Sequence, residues 1–275
     1  MPEGDTIHRT ATTLRRALLG GVVREARAQP QPGLARVPRL ERLVGRRIDA
    51  VEARGKHLLI RFAGGLSLRT HMRMRGSWHR YRPGESWRLP SARAGAVLAT
   101  DHAVAVCFDC PEIELLTDAD LARHRALRTL GPDLLGVTFD AADALARLRA
   151  RPSVALGAAL LDQRAAAGIG NVYKSEICFL EGLDPWAPVS SIPDEALLHL
   201  LSTARRLLLA NAGSASARRV TTGIPVPGSS LWVYGRRGRP CRRCGTLILA
   251  RRQGEQARMT YWCPHCQASR GQGQL

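Results

Sequence analysis

The 275-residue sequence predicts an α+β fold: an opening helix, a β-sandwich or barrel, a helical domain and a four-cysteine metal ribbon. Three observations carry this expectation. Short segments rich in β-formers fill residues 22–116, helical periodicity takes over from 137 to 211, and two Cys-x2-Cys pairs stand near the carboxyl end.

Taken in order, Asp5 or Thr6 is placed to cap a helix running to about Leu19, which Gly20-Gly21 closes. Ile7, Ala11, Leu14 and Leu18 repeat at helical spacing and suit packing on a core. Strands are expected at Val22-Val23, Arg47–Val51, His57–Phe62, Leu66–Thr70, Val97–Ala99, Val104–Phe108 and Ile113–Leu116. Gly45, Gly55, Gly64-Gly65, Pro83-Gly84 and Pro111 punctuate them. Residues 118–129 read as a basic helix, and Gly131-Pro132-Asp133 breaks the pattern. Further helices are expected from about Asp140 to Ala150, after a Ser153 cap, and from an Asn171 cap to about Glu181. Ser191 and Asp194 have capping-box spacing ahead of Leu197, Leu201 and Leu208. Residues 212–230 read as a Gly/Ser/Thr/Pro loop. The expected divisions are 1–130, 137–230 and 231–270.

Hydrophobic residues make up 45% of the chain, which argues against a disordered protein. The net charge of +18 and pI near 11.1 fit a polyanionic partner, nucleic acid before an anionic membrane surface. No run of about 18 apolar residues predicts a membrane span. Acidic Glu3 and Asp5 and the missing apolar h-region argue against a secretory signal. A cytosolic chain keeps its thiols reduced, so seven cysteines point to metal binding or burial.

Cys241-x2-Cys244 and Cys263-x2-Cys266 are separated by 18 residues, a length that fits a β-hairpin between two metal knuckles. Four thiolates suit a closed, structural Zn²⁺ site, with His265 a bystander. Nine arginines and one acid, Glu255, follow from Leu231 onward, the balance of a phosphate-contacting element. Cys107-x2-Cys110 lies within a strand run without a partner pair, which argues against a second metal site and assigns no role, and Cys178, in an apolar helix stretch, reads as core.

Four further stretches carry chemistry. If Met1 is trimmed, Pro2 offers a free secondary amine, a nucleophile toward sugar carbons, and Glu3 beside it offers a general acid or base. The same residues also suit a solvated start before a helix. Gly168-Ile169-Gly170-Asn171 lets backbone approach a phosphate at a helix start, or is a helix–helix corner. Lys56 in Gly55-Lys56-His57 is a phosphate anchor or a solvated strand end. Thr70 to Gly76 holds His71, Arg73, Met74 and Arg75. It reads as a loop that pushes a side chain into a base stack, or as a hairpin with methionine packed inward.

Together these stretches resemble the formamidopyrimidine-DNA glycosylase/endonuclease VIII family, in family order and over nearly the whole chain. The Met-Pro-Glu-Gly opening resembles the endonuclease VIII branch. The resemblance implies a helix-flanked β-sandwich, then a domain with a helix–two-turn–helix motif, then a zinc finger. It implies Pro2 as Schiff-base nucleophile, Glu3 as the acid assisting base loss, Lys56 in β-elimination and Arg258, five residues before Cys263, in δ-elimination. Asn171 and His71 would hold phosphates, and the positions that fill the void left by a flipped base would fall near Arg73, Met74 and Arg75. Two arginines flanking the methionine depart from the family pattern. The implied activity is excision of oxidised bases, pyrimidines first, from damaged DNA by a bacterial-type cytoplasmic, nucleoid-associated monomer. The alternatives are an oxidised-purine preference or a non-catalytic, zinc-dependent nucleic-acid-binding protein.

Overall fold

The structure is a computed structural model that describes residues 2–214, 218–226 and 228–268. It divides into two compact units, Met1–Thr129 and Leu130–Leu275. In the first unit, helix α1 (Gly4–Leu18) precedes strands β1 (Glu25–Ala28), β2 (Ile48–Arg54), β3 (His57–Phe62), β4 (Leu66–His71) and β5 (Ser77–Tyr81). Strands β6 (Ala94–Ala99), β7 (Val104–Phe108) and β8 (Glu112–Thr117) follow, with short helices α2 (Asp118–Arg123) and α3 (Arg125–Arg128). The strands form two four-stranded antiparallel sheets, ordered β1-β6-β7-β5 and β2-β3-β4-β8.

Side chains alternate across a strand, so each sheet has two chemistries. Leu58, Ile60 and Phe62 of β3, Leu66 and Leu68 of β4 and Ile113 of β8 share one core with Ala96 and Leu98 of β6 and Ala105 and Cys107 of β7. Ile7, Ala11, Leu14 and Leu18 of α1 enter the same core, which is the sandwich the sequence predicts. The other face of β3, β4 and β8 carries His57, Arg69, His71, Glu112 and Glu114 (Arg69 pairs with Glu114 and His71 with Glu112). Cys107, Cys110 and Cys178 are all buried in cores.

Two strands escape the sequence reading. β1 has no β-branched residue, and β5 alternates polar with aromatic; both are edge strands, which need less apolar content. Val22 makes only an isolated bridge to Arg47. The expected caps also shift. Helix α1 begins at Gly4 with Glu3 in the N-cap position, so Asp5 and Thr6 lie inside its first turn.

The second unit holds α4 (Ala141–Arg149), α5 (Leu156–Ala159), α6 (Asn171–Leu180), α7 (Asp194–Gly213) and a hairpin of β9 (Leu249–Gln253) and β10 (Arg258–Trp262). Asp140 caps α4 by accepting from the Asp143 amide. The caps expected at Ser153 and Ser191 do not form. Ala155 and Pro193 occupy the N-cap positions of α5 and α7, and the Ser191 hydroxyl donates to the Pro188 carbonyl instead. Helix α6 is buried from Asn171 to Phe179, polar residues included. Among the described residues no helix is long and apolar enough to cross a membrane.

Candidate active site and metal centre

The amino end is short and stiff. Pro2 is half-buried and Glu3 wholly buried, and the Glu3 carbonyl accepts from Ile7 N at 3.1 Å, so α1 begins two residues behind Pro2. The Arg15 guanidinium ties α1 to β2 through the Val51 carbonyl, 2.9 Å from Nε. An amine carried on such an element has few conformations to lose when it attacks. Trimming of Met1 concerns a residue outside the described ones.

Lys56 sits in the two-residue turn between β2 and β3, where Arg54 pairs with His57 and Gly55 takes the left-handed φ of 57°. Primed hairpin turns demand such an angle at that position, which is why glycine precedes the lysine. Next to it, His57 Nδ1 faces the Arg69 guanidinium at 2.9 Å, and its ring packs against His71 with centroids 4.8 Å apart and planes tilted by 53°. Guanidinium only donates, so His57 Nδ1 must accept, and the ring proton resides on Nε2. Burial first, then the Arg69 charge, pushes His57 down to about 2. Burial likewise pushes His71 down to about 4, against the pull of Glu112. Both rings are therefore neutral at physiological pH.

The loop after β4 separates its side chains. Met72 is buried in the sandwich core, whereas Met74 is 52% exposed. Of the two readings of this stretch, inward packing thus applies to Met72 alone. Arg73 and Arg75 line a cavity of about 430 Å³ with Met74, Pro32, Arg93 and Pro111.

In the second unit, the Gly168-Ile169-Gly170 turn is held by Gln163, whose Oε1 accepts from Gly168 N and whose Nε2 donates to the Ile169 carbonyl. Asn171 is the first residue of α6 and not its cap; Gly170 takes the cap position. Its side-chain amide makes two contacts. Nδ2 donates to the Met259 carbonyl at 2.8 Å, and Oδ1 accepts from buried Lys174 Nζ at 2.7 Å. Lys174 also donates to Thr260 Oγ1 at 2.6 Å, and Thr260 donates to Gln253 Oε1 at 2.8 Å. This chain of bonds fastens the hairpin to α6 beside Asn171. Lys174→Met is expected to strand two buried acceptors, costing about 2 kcal/mol. Faster amide exchange along β10 is the measurement that checks it.

Arg258 opens β10 at the hairpin tip, just after Ala257 with φ 48°, and its Nε donates to Gln256 Oε1 at 3.3 Å. Other arginines of the finger are structural. Arg243 stacks on Phe179 at 4.5 Å, Arg251 on Trp186 at 3.8 Å, and Arg242 reaches the Gly228 carbonyl. Buried Glu176 of α6 anchors the chain entering the finger, accepting from Trp232 N at 2.8 Å, Val233 N at 2.9 Å and Tyr234 N at 2.8 Å. Arg69, Glu112, Lys174 and Glu176 carry no motif that marks them in the sequence. A lone charge inside an apolar strand or helix was the available signal.

Cys241, Cys244, Cys263 and Cys266 place their sulfurs within 4.8 Å of one another, the only such group among the described residues. Contacts of 3.5 and 3.9 Å bracket the sulfur–sulfur edge of roughly 3.8 Å that a tetrahedron with metal–sulfur bonds of about 2.3 Å requires. The donor set therefore fits a thiolate-bound metal, and His265 is outside it.

Comparison with known proteins agrees with this geometry. The formamidopyrimidine-DNA glycosylase N-terminal domain matches residues 1–118, and the H2TH domain of the same enzyme matches residues 130–220. The chain is 46% identical over 273 residues to probable endonuclease 8 2 of Streptomyces coelicolor, covering 98% of this chain and 94% of that protein. It is 44% identical over 274 residues to the DNA-(apurinic or apyrimidinic site) lyase Nei2 of Mycolicibacterium smegmatis, covering 98% and 100%. Its fold matches Lactococcus lactis formamidopyrimidine-DNA glycosylase, solved with N7-benzyl-Fapy-dG DNA, at TM-score 0.81 and 21% identity over 98% of this chain and 100% of that one. Matched along both units and by relatives of nearly equal extent, the chain belongs to the formamidopyrimidine-DNA glycosylase family.

Proposed function

We propose that the chain is a bifunctional DNA glycosylase and abasic-site lyase that excises oxidised bases, pyrimidines first, from damaged DNA. Its class is that of the bacterial relatives it matches, and the pyrimidine preference rests on the resemblance of its Met-Pro-Glu-Gly opening to the endonuclease VIII branch. The observation that carries the mechanism is the stiff Pro2-Glu3 end on α1.

A base in a duplex is out of reach, so the damaged nucleotide is flipped out, at a cost of a few kcal/mol. The Pro2 nitrogen attacks C1′, and the glycosidic bond breaks with its electron pair leaving on the base, which takes up a proton. Glu3 assists as the sugar ring opens. The resulting iminium draws electrons from C2′. Loss of the C2′ proton expels the 3′ phosphate, and a second elimination expels the 5′ phosphate. Water then hydrolyses the iminium and restores the amine. Lys56 serves the first elimination and Arg258 the second, while His71 and Asn171 hold phosphates. The void-filling position falls in the loop that holds Arg73, Met74 and Arg75. The chain acts as a monomer, with divisions 1–130, 137–230 and 231–270; residues 269 and 270 lie outside the described ones.

Borohydride is expected to trap one covalent adduct between the amino end and DNA holding an oxidised pyrimidine or an abasic site. A duplex nicked without any trapped adduct counts against the amine mechanism. Rates on oxidised pyrimidines and on 8-oxoguanine, opposite each of the four bases, decide the lesion preference.

The ion of the four-cysteine site is proposed as one structural Zn²⁺, which supplies folding free energy and no step of the reaction. In small zinc domains that free energy is about 10–16 kcal/mol. Removing the metal is expected to unfold β9 and β10 and weaken DNA binding at least tenfold. Metal analysis together with amide exchange at Thr260 checks this, and a protected hairpin in metal-free protein contradicts it.

A further inference from the structure

The outer face of β3, β4 and β8 carries a charge network that ends on the loop after β4. Arg69 is only 3% exposed, and its guanidinium reaches His57 Nδ1 at 2.9 Å, Glu112 Oε2 at 3.0 Å and Glu114 Oε2 at 2.6 Å. The other oxygen of Glu112 accepts from Arg73 Nε. Glu112 is thus a strut with one end on a buried arginine of the sheet and the other on the loop.

That loop is bent in a way that needs holding. Arg73 has φ 48°, a left-handed angle that a residue with a side chain adopts at some cost. Gly76 N donates to the Met72 carbonyl at 2.8 Å, and a Cβ at Gly76 would lie 2.7 Å from that oxygen, so glycine closes the turn. Arg73 N donates to His71 Nδ1 at 3.3 Å, which requires the neutral ring described above. A solvent-exposed ion pair by itself contributes little, because two long side chains must be immobilised. Here Glu112 is immobilised already by Arg69, so only Arg73 has freedom left to lose. The result is that one flanking arginine is drawn back onto the sheet while the Met74 side chain stays half in solvent.

We infer that Glu112 is a positioning residue for the void-filling loop, holding Arg73 back so that Met74 is the side chain presented to the base stack. This rests on the proposed reading that the loop fills the space of a flipped nucleotide. It resolves the departure from the family pattern noted in the sequence: the first arginine beside the methionine is part of the loop's scaffold.

The test uses the full-length enzyme and a duplex with 2-aminopurine beside a tetrahydrofuran abasic analogue, whose fluorescence rises when a wedge unstacks it. Glu112→Gln is expected to lose most of that rise and to slow single-turnover excision of an oxidised pyrimidine about tenfold. Elimination at a preformed abasic site in single-stranded DNA, where no stack has to be filled, should slow less than twofold. Arg73→Gln should reproduce the loss, and the double variant should be no worse than either single one, as for two residues acting through one contact. A full fluorescence rise with wild-type excision in Glu112→Gln overturns the assignment, as does a double variant whose losses multiply. Should Glu112→Gln fail to fold, Arg73→Gln carries the test on the exposed side of the pair, and a wild-type signal there overturns it equally. Wild-type protein that neither excises nor forms a borohydride adduct brings down the functional reading instead.

Discussion

Any residue left ahead of Pro2 is expected to abolish borohydride trapping and to cut base excision on the order of 10³-fold or more, the scale of losing a covalent nucleophile. The reason is electronic. Once acylated, the proline nitrogen becomes an amide whose lone pair is delocalised into the carbonyl, and it no longer attacks carbon. The stiffness of the amino end adds to this, since α1 starts at Gly4 and Glu3 is buried, leaving no slack for another amine to substitute. Pro2→Gly, with its amino terminus free, keeps a primary amine in place and should retain part of the trapping. Glu3→Gln should lose excision of an intact damaged base far more than cleavage at a preformed abasic site, because its role precedes the eliminations. A tagged protein with full activity transfers the nucleophile's role to a lysine, Lys56 first. Equal losses on the two substrates remove Glu3 from its assigned step.

Acid should loosen the first unit well before its carboxylates titrate. His57 is pushed down to about 2 and His71 to about 4 from an unfolded value of about 6.5. A histidine depressed in the folded state binds its proton in the unfolded chain first. Stability from these groups is therefore whole above pH 6.5 and falls as pH drops through the window from about 6.5 toward 4. For His57 alone, lowering the pH from 6.5 to 4.5 costs about 2 kcal/mol, because the full slope of about 1.4 kcal/mol per unit is reached only once the unfolded ring is mostly protonated. Urea unfolding at pH 7 and pH 4.5, followed by amide exchange along β3 and β4, measures it. His57→Asn keeps an acceptor for Arg69 but has nothing to titrate, so it should flatten most of that slope. An unchanged slope in the variant assigns the acid sensitivity elsewhere.

What was legible from residue order was whatever a few neighbouring positions decide. The metal knuckles need only two cysteines three apart, and the four sulfurs do converge. The apolar repeat Ile7, Ala11, Leu14, Leu18 makes one face of α1, and richness in β-formers marks β3, β4 and β7 as strands. The Gly-Lys-His and Gly-Ile-Gly-Asn stretches, the Pro-Glu start and Arg258 carried the family resemblance, which the comparisons then bore out. The edge strands β1 and β5 were missed because backbone pairing, more than composition, makes them strands.

Where polar groups find their partners was settled only by tertiary structure. Asn171 looks like a cap by its place before an apolar helix, yet its amide serves a carbonyl 88 residues away. Arg69 meets Glu112 and Glu114 across separations of 43 and 45 residues. Arg243 and Arg251, counted as phosphate-seeking by charge, stack on aromatic rings. Periodicity reports which face of an element is buried, but a hydrogen bond or ion pair depends on which element the chain folds against it, and no local spacing encodes that.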